Sequence, residues 1–374
     1  MLQLLLGGSG SGKTTLLYQR IRARAEKGEK SILLVPEQFT SSTEGRIYRE
    51  LGDALSGMVE SFSFTSLAEK ILSTEGGAAV QTLSDAGRAV LVRRALEELQ
   101  DNVHYYHRHR RSAAFCQMAA QTIDELKSAG LSGQQLAQLA GACGAESGKL
   151  SELALIFQGY ETLLARSGMD PSDRLELAGA RLEEALARHS LPEFLRDRAV
   201  FIDEFDTFNA PKKRLLGAML AALPSVTVAL CDDGAPLLPG DLSLFSGAKQ
   251  VAAQLRQLAR KNGAEVAVPQ LLRKDLRHRN ATGLAAVAEL LETGSCTADA
   301  PAGEVRLFAA PSREEEARAA AGAIRRLMRQ GVRCGKIAVV CRDIAKYRAA
   351  VRYEFRMAEI PLYCDEPTTP EFSA

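Results

Sequence analysis

A glycine-rich run that directly follows a short apolar segment constrains this chain more than any other feature. Residues 7–14 read Gly-Gly-Ser-Gly-Ser-Gly-Lys-Thr and come after three consecutive leucines. The spacing is G-x-x-x-x-G-K-[ST], in which a buried strand leads into a turn whose backbone N–H groups surround phosphate oxygens. The pattern predicts a strand at the leucines, a nucleotide-phosphate site in the turn, and a helix from about Thr14 to Ala25.

The same run assigns roles to individual residues. The lysine is expected to place its ammonium group on the β- and γ-phosphates, and the threonine hydroxyl is expected to bind Mg²⁺. The expected cofactors are therefore ATP and Mg²⁺. The predicted nucleotide-binding residues are Gly7, Gly8, Ser9, Gly10, Ser11, Gly12, Lys13, Thr14 and Thr15.

An acidic segment at the end of another apolar stretch complements this site. Residues 200–206 read Val-Phe-Ile-Asp-Glu-Phe-Asp. A P-loop protein needs a carboxylate on a neighbouring strand for Mg²⁺, and hydrolases use another to polarise the attacking water. We predict that Asp203 binds Mg²⁺ together with Thr14, and that Glu204 is the candidate catalytic base. The alternative is an acidic turn at the start of the next helix, which Asp206 or Asn209 could cap.

Alternating strand and helix patterns place both motifs in one sheet. Further strands are predicted at residues 31–35, 58–64, 198–202 and 226–230. Helices are predicted at residues 42–51, 65–72, 86–99, 113–129, 150–165, 175–187, 211–223, 248–261 and 283–291. Because no strand pattern interrupts the middle helices, we predict an α/β fold: a parallel P-loop sheet formed by residues 1–75 and 196–295, with an all-helical insertion at 76–195.

The last part of the chain begins the strand–helix alternation again. Residues 296–303 have the composition of a linker. Beyond them the pattern predicts strands at 304–309 and 336–341 and helices at 314–330 and 345–357. Residues 303–374 are therefore expected to begin a second α/β domain.

Composition excludes several classes of protein. The net charge of +1 argues against a chain that binds nucleic acid through its overall charge. No apolar run approaches the roughly 20 residues of a membrane helix, and the start of the chain lacks the basic region of a signal peptide. The seven cysteines are scattered without a C-x-x-C pair, so we expect reduced thiols, a cytoplasmic protein and no membrane partner.

Two motifs separated by a helical block resemble the first motor domain of superfamily 1 helicases, in which a RecA-like core is interrupted by a helical domain. Residues 35–40, Val-Pro-Glu-Gln-Phe-Thr, and residues 59–65, Val-Glu-Ser-Phe-Ser-Phe-Thr, resemble two motifs of that family that meet DNA. The resemblance implies DNA contacts by Phe39, Thr40, Phe62 and Ser63.

A narrower resemblance connects six segments with the AddB (RexB) family. They read LLLGGSGSGKTT, ILLVPEQFT, SFSFTSLAEKIL, DELKSAGLS, LALIFQGYETLL and FIDEFDTF. The chain resembles the N-terminal, helicase-like part of that family. This implies an ATP-dependent helicase–nuclease heterodimer with an AddA-type subunit, which processes double-strand DNA ends and recognises Chi for recombinational repair. Single-stranded DNA and duplex ends are the implied DNA partners.

The chain also departs from what the resemblance implies. No nuclease carboxylate constellation and no four-cysteine iron–sulfur motif occur in the 374 residues, so neither a nuclease domain nor that cluster is expected here. Only three residues precede Leu4, which leaves no room for an adenine-reading glutamine. The segment 230–237, Leu-Cys-Asp-Asp-Gly-Ala-Pro-Leu, lacks the glutamine that senses the γ-phosphate. We therefore expect weak ATP hydrolysis or none. The alternatives are a silent scaffold that holds ATP structurally and docks the helicase subunit, and a free-standing P-loop NTPase.

Two basic segments allow more than one interpretation. Residues 104–111 read His-Tyr-Tyr-His-Arg-His-Arg-Arg and could bind DNA by stacking and phosphate contacts, or could be a solvated loop between helices. Residues 273–279 read Arg-Lys-Asp-Leu-Arg-His-Arg. We interpret them as an exposed surface, although active relatives place an arginine in this region on the γ-phosphate.

Overall fold

The computed structural model describes residues 1–77, 82–144, 147–295 and 305–364. The chain divides into two compact units, residues 1–298 and residues 299–374. The predicted linker at 296–303 lies outside the described residues.

A six-stranded, all-parallel sheet forms the centre of the first unit. Its strands are β1 Leu2–Gly7, β2 Ser31–Leu34, β3 Val59–Phe62, β4 Ala199–Ile202, β5 Ser225–Cys231 and β6 Gln270–Leu272. Their order across the sheet is β3-β2-β4-β5-β1-β6, so the P-loop strand β1 lies between β5 and β6. The predicted α/β class, with a parallel RecA-like sheet, is confirmed. Strand β6 was not predicted, because three residues are too few to give a periodic pattern.

Helices cover both faces of this sheet and fill the chain between β3 and β4. Before β4 they are α1 Lys13–Ala25, α2 Thr40–Leu51, α3 Asp53–Ser56, α4 Phe64–Glu75, α5 Asp85–Glu98, α6 Ala113–Ser128, α7 Gly133–Ala140, α8 Ser147–Ser167 and α9 Pro171–Ala187. After β4 they are α10 Ala210–Ala222, α11 Ser246–Lys261 and α12 Thr282–Thr293. The predicted helices are confirmed within a few residues at each end, and α3 and α7 are additional.

Alternation along the strands gives the sheet two apolar cores. In β1 the side chains of Leu4 and Leu6 join one core with α4, α9, α10 and α11, whereas Leu5 joins the other with α1 and α2. Leu33 and Phe201 lie on the same side as Leu5. Because a parallel sheet is buried on both faces, its strands read as unbroken apolar runs, which is why they could be recognised.

The helical insertion has a core of its own. Helices α5, α6, α7 and α8 bury a cluster that includes Ile123, Phe157 and Tyr160. Helix α9 instead packs on α4 and α10 and contributes Leu175 and Leu182 to the core of the sheet. It therefore ties the insertion to the sheet. The division at residues 76 and 195 stays a prediction.

A buried polar cluster joins α6, α8 and α9. The ammonium group of Lys127 lies 3.0 Å from a carboxylate oxygen of Asp170 and 2.6 Å from one of Asp173. The hydroxyl of Tyr160 donates to the other oxygen of Asp170 at 2.6 Å. Asp170 is 1 % exposed, so its charge is compensated inside the protein by these two partners.

The second unit consists, in its described part, of two packed helices. Helices α13 Arg313–Arg329 and α14 Ile344–Met357 confirm the predicted pair, and they meet through Ile324 and Phe355. The predicted strands at 304–309 and 336–341 are wrong: residues 305–309 and 337–341 form no strand. Among residues 305–364 no further strand is present to cover these segments, and two short parallel strands alone cannot bury both faces, so the apolar pattern does not lead to a sheet there. The identification of this part as the start of a second RecA-like domain stays a prediction.

Among the described helices, none is long and apolar enough to span a lipid bilayer.

Candidate nucleotide-binding site

The two sequence motifs meet at the carboxyl edge of the sheet. The glycine-rich turn follows β1, and the acidic segment follows β4, which is separated from β1 only by β5. A cleft of about 450 Å³ opens between them. Its walls include most of the predicted site residues, namely Ser9, Gly10, Gly12, Lys13, Thr14, Thr15, Asp203 and Glu204. Parallel α/β sheets bind ligands at this edge because the carboxyl ends of the strands and the amino ends of the following helices meet there.

The backbone of the turn presents donors toward the cleft. Gly10 and Gly12 have backbone φ angles of +78° and +89°, which residues other than glycine rarely adopt. Gly12 is also the N-cap of α1, and no side chain caps that helix. The amide groups of its first turn therefore lack a side-chain acceptor. Such groups, together with the helix dipole, fit phosphate oxygens.

Lys13 folds back over the turn that precedes it. Its ammonium group donates to the carbonyl oxygens of Gly7 and Gly8, both at 2.8 Å. Burial lowers the pKa of Lys13. Nearby, the hydroxyl of Ser11 is buried and has no hydrogen-bond partner among the described residues. A cation and an unpartnered hydroxyl inside a turn of this shape are suited to phosphate.

Thr14 and Asp203 lie side by side, as a Mg²⁺ site requires. The side chain of Thr14 faces the carboxylate of Asp203 across the cleft and lowers its pKa. That carboxylate accepts a hydrogen bond from the backbone N–H of Glu204 at 3.1 Å. Asp203 is only 6 % exposed, and burial raises its pKa, although Thr14 and the N–H of Glu204 act in the opposite direction. A hydroxyl and one carboxylate leave room for phosphate and water oxygens, which is how Mg²⁺ is commonly held.

Glu204 occupies a strained position at the mouth of the cleft. Its φ is +65°, which a non-glycine residue adopts only where the surroundings enforce it. Burial and the neighbouring Asp203 raise the pKa of Glu204, while Arg46 opposes that shift. The guanidinium of Arg46 lies 4.8 Å from the centre of the Tyr18 ring. Glu204 lines the cleft, and its assignment as a catalytic base stays a prediction.

Arg277 reaches the site from a segment that the sequence interpretation left on the surface. The segment is exposed, as expected, yet the guanidinium of Arg277 donates to the Ser9 hydroxyl at 3.2 Å. The backbone N–H of Leu276 donates to the Gly10 carbonyl at 3.0 Å. A methyl group on Gly10 would lie 2.7 Å from the Cβ of Arg277. The glycine is thus needed for this close approach as well as for its φ.

Arg46 was missed and Arg277 was interpreted as a surface residue, because no local pattern marks either one as part of the site. Arg277 follows β6, whose three residues gave no signal, so its register relative to the P-loop could not be assigned. Arg46 lies in the middle of α2 and is brought to Asp203 by the packing of that helix on α1. The one usable signal was a cluster of basic residues shortly after an apolar stretch in an α/β protein.

The candidate DNA-contacting residues follow β2 and β3 at the same edge of the sheet. Phe39 is 37 % exposed and lines a cleft with Thr14 and Asp203, whereas Thr40 begins α2 and donates to the Glu37 carbonyl. Phe62 is half-buried and lies 6.4 Å from the ring of Phe194. Ser63 is buried and caps α4 through reciprocal hydrogen bonds with Ser66. Their contact with DNA stays a prediction.

Known proteins are similar to this chain along nearly its whole length. Residues 4–288 match the family model described as ADDB, N-terminal. Curated relatives named as a subunit of an ATP-dependent helicase/deoxyribonuclease include those of Desulforudis audaxviator, 33% identical over 97% of this chain, and Symbiobacterium thermophilum, 32% identical over 98%. A third, from Moorella thermoacetica, is 32% identical over 97%. This chain spans about a third of the length of these relatives, 32% in each case.

Proposed function

Because the chain belongs to the ADDB N-terminal family, we propose that it is the helicase-like, ATP- and DNA-binding part of a helicase–nuclease subunit. It would act with an AddA-type partner at double-strand DNA ends and take part in Chi recognition for recombinational repair. The observation that carries the nucleotide role is the position of the Thr14 side chain beside the Asp203 carboxylate in the cleft of the P-loop. It joins the two motifs that a Mg²⁺–nucleotide site needs.

The protein groups have separate parts in nucleotide binding. The uncapped N-terminus of α1 and the ammonium of Lys13 would hold the phosphates, and Arg277 would add a second cation beside Ser9. Thr14 and Asp203 would hold Mg²⁺, which when bound neutralises charge between the β- and γ-phosphates. Lys13 must exchange its two carbonyl partners for phosphate oxygens, and this exchange keeps the ammonium hydrogen-bonded throughout.

The segment that follows β5 supports the proposal that this chain does not hydrolyse ATP by itself. The segment 230–237 lacks the glutamine with which active relatives sense the γ-phosphate, and it contains Asp232 and Asp233. Asp232 is buried, its backbone N–H donates to the Gly7 carbonyl, and its carboxylate accepts from the N–H of Gly234 at 2.7 Å. The end of β5 therefore holds a turn and offers no glutamine amide to the γ-phosphate. We therefore propose nucleotide binding with little or no hydrolysis.

A silent scaffold is the second candidate, and one feature favours it. The two hydrogen bonds of the Lys13 ammonium both end on carbonyls of the P-loop itself, so groups of the protein hold the loop in this shape. In that case ATP would be bound as a structural ligand of the fold, and the surface of the protein would dock the helicase subunit.

Nucleotide binding and turnover of the full chain separate these functions. ATP affinity is measured with Mg²⁺ for the wild type, for Lys13→Ala and for Lys27→Ala, an exposed lysine just beyond the same helix. Turnover is then measured with and without single-stranded DNA. We expect binding that only Lys13→Ala abolishes, and no stimulation by DNA. Robust DNA-stimulated turnover would refute the inactive motor. Absence of binding in the wild type would refute ATP binding in both candidates and leave only the docking role of the scaffold.

A further inference from the structure

The basic loop at residues 104–111, between α5 and α6, has no part in the nucleotide site. It belongs to the helical insertion and contains three arginines, three histidines and two tyrosines with no acidic residue. His104, Tyr105, Arg108, His109 and Arg111 are exposed. Loops of this composition are often mobile, so what holds this one determines what it can bind.

A buried carboxylate fixes the start of the loop. Glu152 on α8 is 7 % exposed, and its two oxygens accept hydrogen bonds from the backbone N–H groups of His104, Tyr105 and Tyr106 at 2.8 to 3.3 Å. A buried charge is costly unless it is fully hydrogen-bonded. Here three backbone donors meet that requirement, so the carboxylate holds the main chain and leaves the basic side chains directed elsewhere.

Aromatic stacking fixes the end of the loop on α6. The ring of Phe115 stacks on Tyr106 with centroids 5.3 Å apart and lies 5.5 Å from the His109 ring. Ser112 caps α6 through the N–H of Phe115. The loop is thus anchored at both ends before any ligand arrives, which reduces the entropy lost on binding.

The exposed side chains of the loop are mostly basic, and one exposed aromatic ring, that of Tyr105, lies among them in the sequence. Tyr105 is 56 % exposed, and the ammonium of Lys149 lies 6.0 Å from its ring centre. Among the described residues, no ion pair involves Arg108 or Arg111, whereas the neighbouring Arg93 and Arg94 on α5 are paired with glutamates of their own helix. Unneutralised guanidinium groups in the same loop as an exposed aromatic ring match the phosphates and bases of an unpaired strand.

We propose that the 104–111 loop is a binding site for single-stranded DNA, with phosphate contacts from Arg108 and Arg111 and a base stacked on Tyr105. This inference rests on the proposed function, because it assumes that the chain meets DNA. A duplex would satisfy the arginines but would leave the Tyr105 ring without a base face, since paired bases are stacked on each other.

The test is fluorescence anisotropy of a labelled single-stranded oligothymidylate with the full chain at several salt concentrations. Arg108→Ala/Arg111→Ala should lower the slope of log affinity against log salt by about 1.4, since each phosphate contact to a single strand contributes about 0.7. Tyr105→Ala should weaken binding at least about fivefold, the lower limit for one stacked base. The matched control is Arg22→Ala/Arg181→Ala, which removes two surface charges already paired with glutamates.

The possible outcomes test the DNA site in the loop separately from the proposed DNA binding of the chain as a whole. Loss of binding and slope in the loop variants, with the control unchanged, supports the site. Wild-type affinity and slope in Arg108→Ala/Arg111→Ala overturn it while leaving DNA binding elsewhere intact. Equal affinity for duplex, with no effect of Tyr105→Ala, overturns the single-strand assignment. A wild-type chain that binds no DNA refutes the DNA part of the proposed function itself.

Discussion

The side chain of Thr14 faces the carboxylate of Asp203 across one cleft, although the whole helical insertion separates the two residues in the chain. Parallel pairing of β1 with β5 and of β5 with β4 aligns the ends of these strands and brings the two side chains together. The carboxylate is buried there at a cost to the fold. A residue whose charge opposes folding but suits Mg²⁺ is expected at a functional site.

Substitution of Asp203 by asparagine separates stability from function. The asparagine side chain keeps the size and an acceptor oxygen but carries no charge to bury, so we expect Asp203→Asn to raise the free energy of unfolding by about 1 kcal/mol. The same change should remove the effect of Mg²⁺ on ATP affinity. Urea unfolding without nucleotide and ATP titration with and without Mg²⁺ measure the two effects.

Asp101→Asn is the control for this substitution, since Asp101 is exposed and does not line the cleft. It should change neither quantity appreciably. A less stable Asp203→Asn protein, or one whose ATP affinity still depends on Mg²⁺, would show that Asp203 is a structural turn residue.

The effect of Mg²⁺ should weaken on acidification sooner than an ordinary aspartate would allow. Burial raises the pKa of Asp203, so its carboxylate is protonated at a higher pH than an exposed one and then cannot bind the metal. The sign for stability is opposite: the contribution of Asp203 to the free energy of unfolding is most favourable when it is protonated, and is lost as pH rises through its raised pKa.

ATP affinity with Mg²⁺ and with a chelator, compared between about pH 5 and about pH 8, measures this dependence across the range in which a raised carboxyl pKa would act. Protonation of the nucleotide itself is common to all variants, so Asp203→Asn gives the background. If the wild type and Asp203→Asn show the same profile, Asp203 does not titrate in the metal site.

Local patterns predicted the P-loop, the acidic segment and most helices, because each depends on neighbouring residues. The position of Arg277 could not be predicted, since it depends on β6 pairing with β1 over a large sequence separation. The ion pair between Lys127 and Asp170 could not be predicted either, because it also joins residues that are distant in the sequence. The strand predictions in the second unit were wrong, and Val340 there is 92 % exposed. An apolar sequence pattern does not show whether a neighbouring strand is available for pairing.

Arg277 should contribute directly to nucleotide affinity. Its guanidinium is bonded to the Ser9 hydroxyl at the cleft, and a hydrogen bond from a charged group to phosphate is worth roughly 1.5–3 kcal/mol. We expect Arg277→Ala to weaken ATP binding about tenfold or more. Arg279→Ala, which removes an exposed charge from the same segment, should have little effect. Calorimetric titration of both variants with ATP checks this. If the two variants bind ATP with equal affinity, Arg277 is a surface residue without a role in nucleotide binding.

Lys127 should stabilise the helical insertion more than any exposed cation. Its side chain is 11 % exposed and neutralises Asp170 and Asp173, so Lys127→Met would leave an almost fully buried carboxylate without its cation. Loss of one partner of a buried ion pair costs about 3–5 kcal/mol. Arg181→Met, which breaks the surface pair with Glu184, should cost less than about 1 kcal/mol. Urea unfolding of the two variants measures the difference. Similar small losses would mean that water reaches Asp170, and that the hydroxyl of Tyr160 suffices to hold α8 and α9 together.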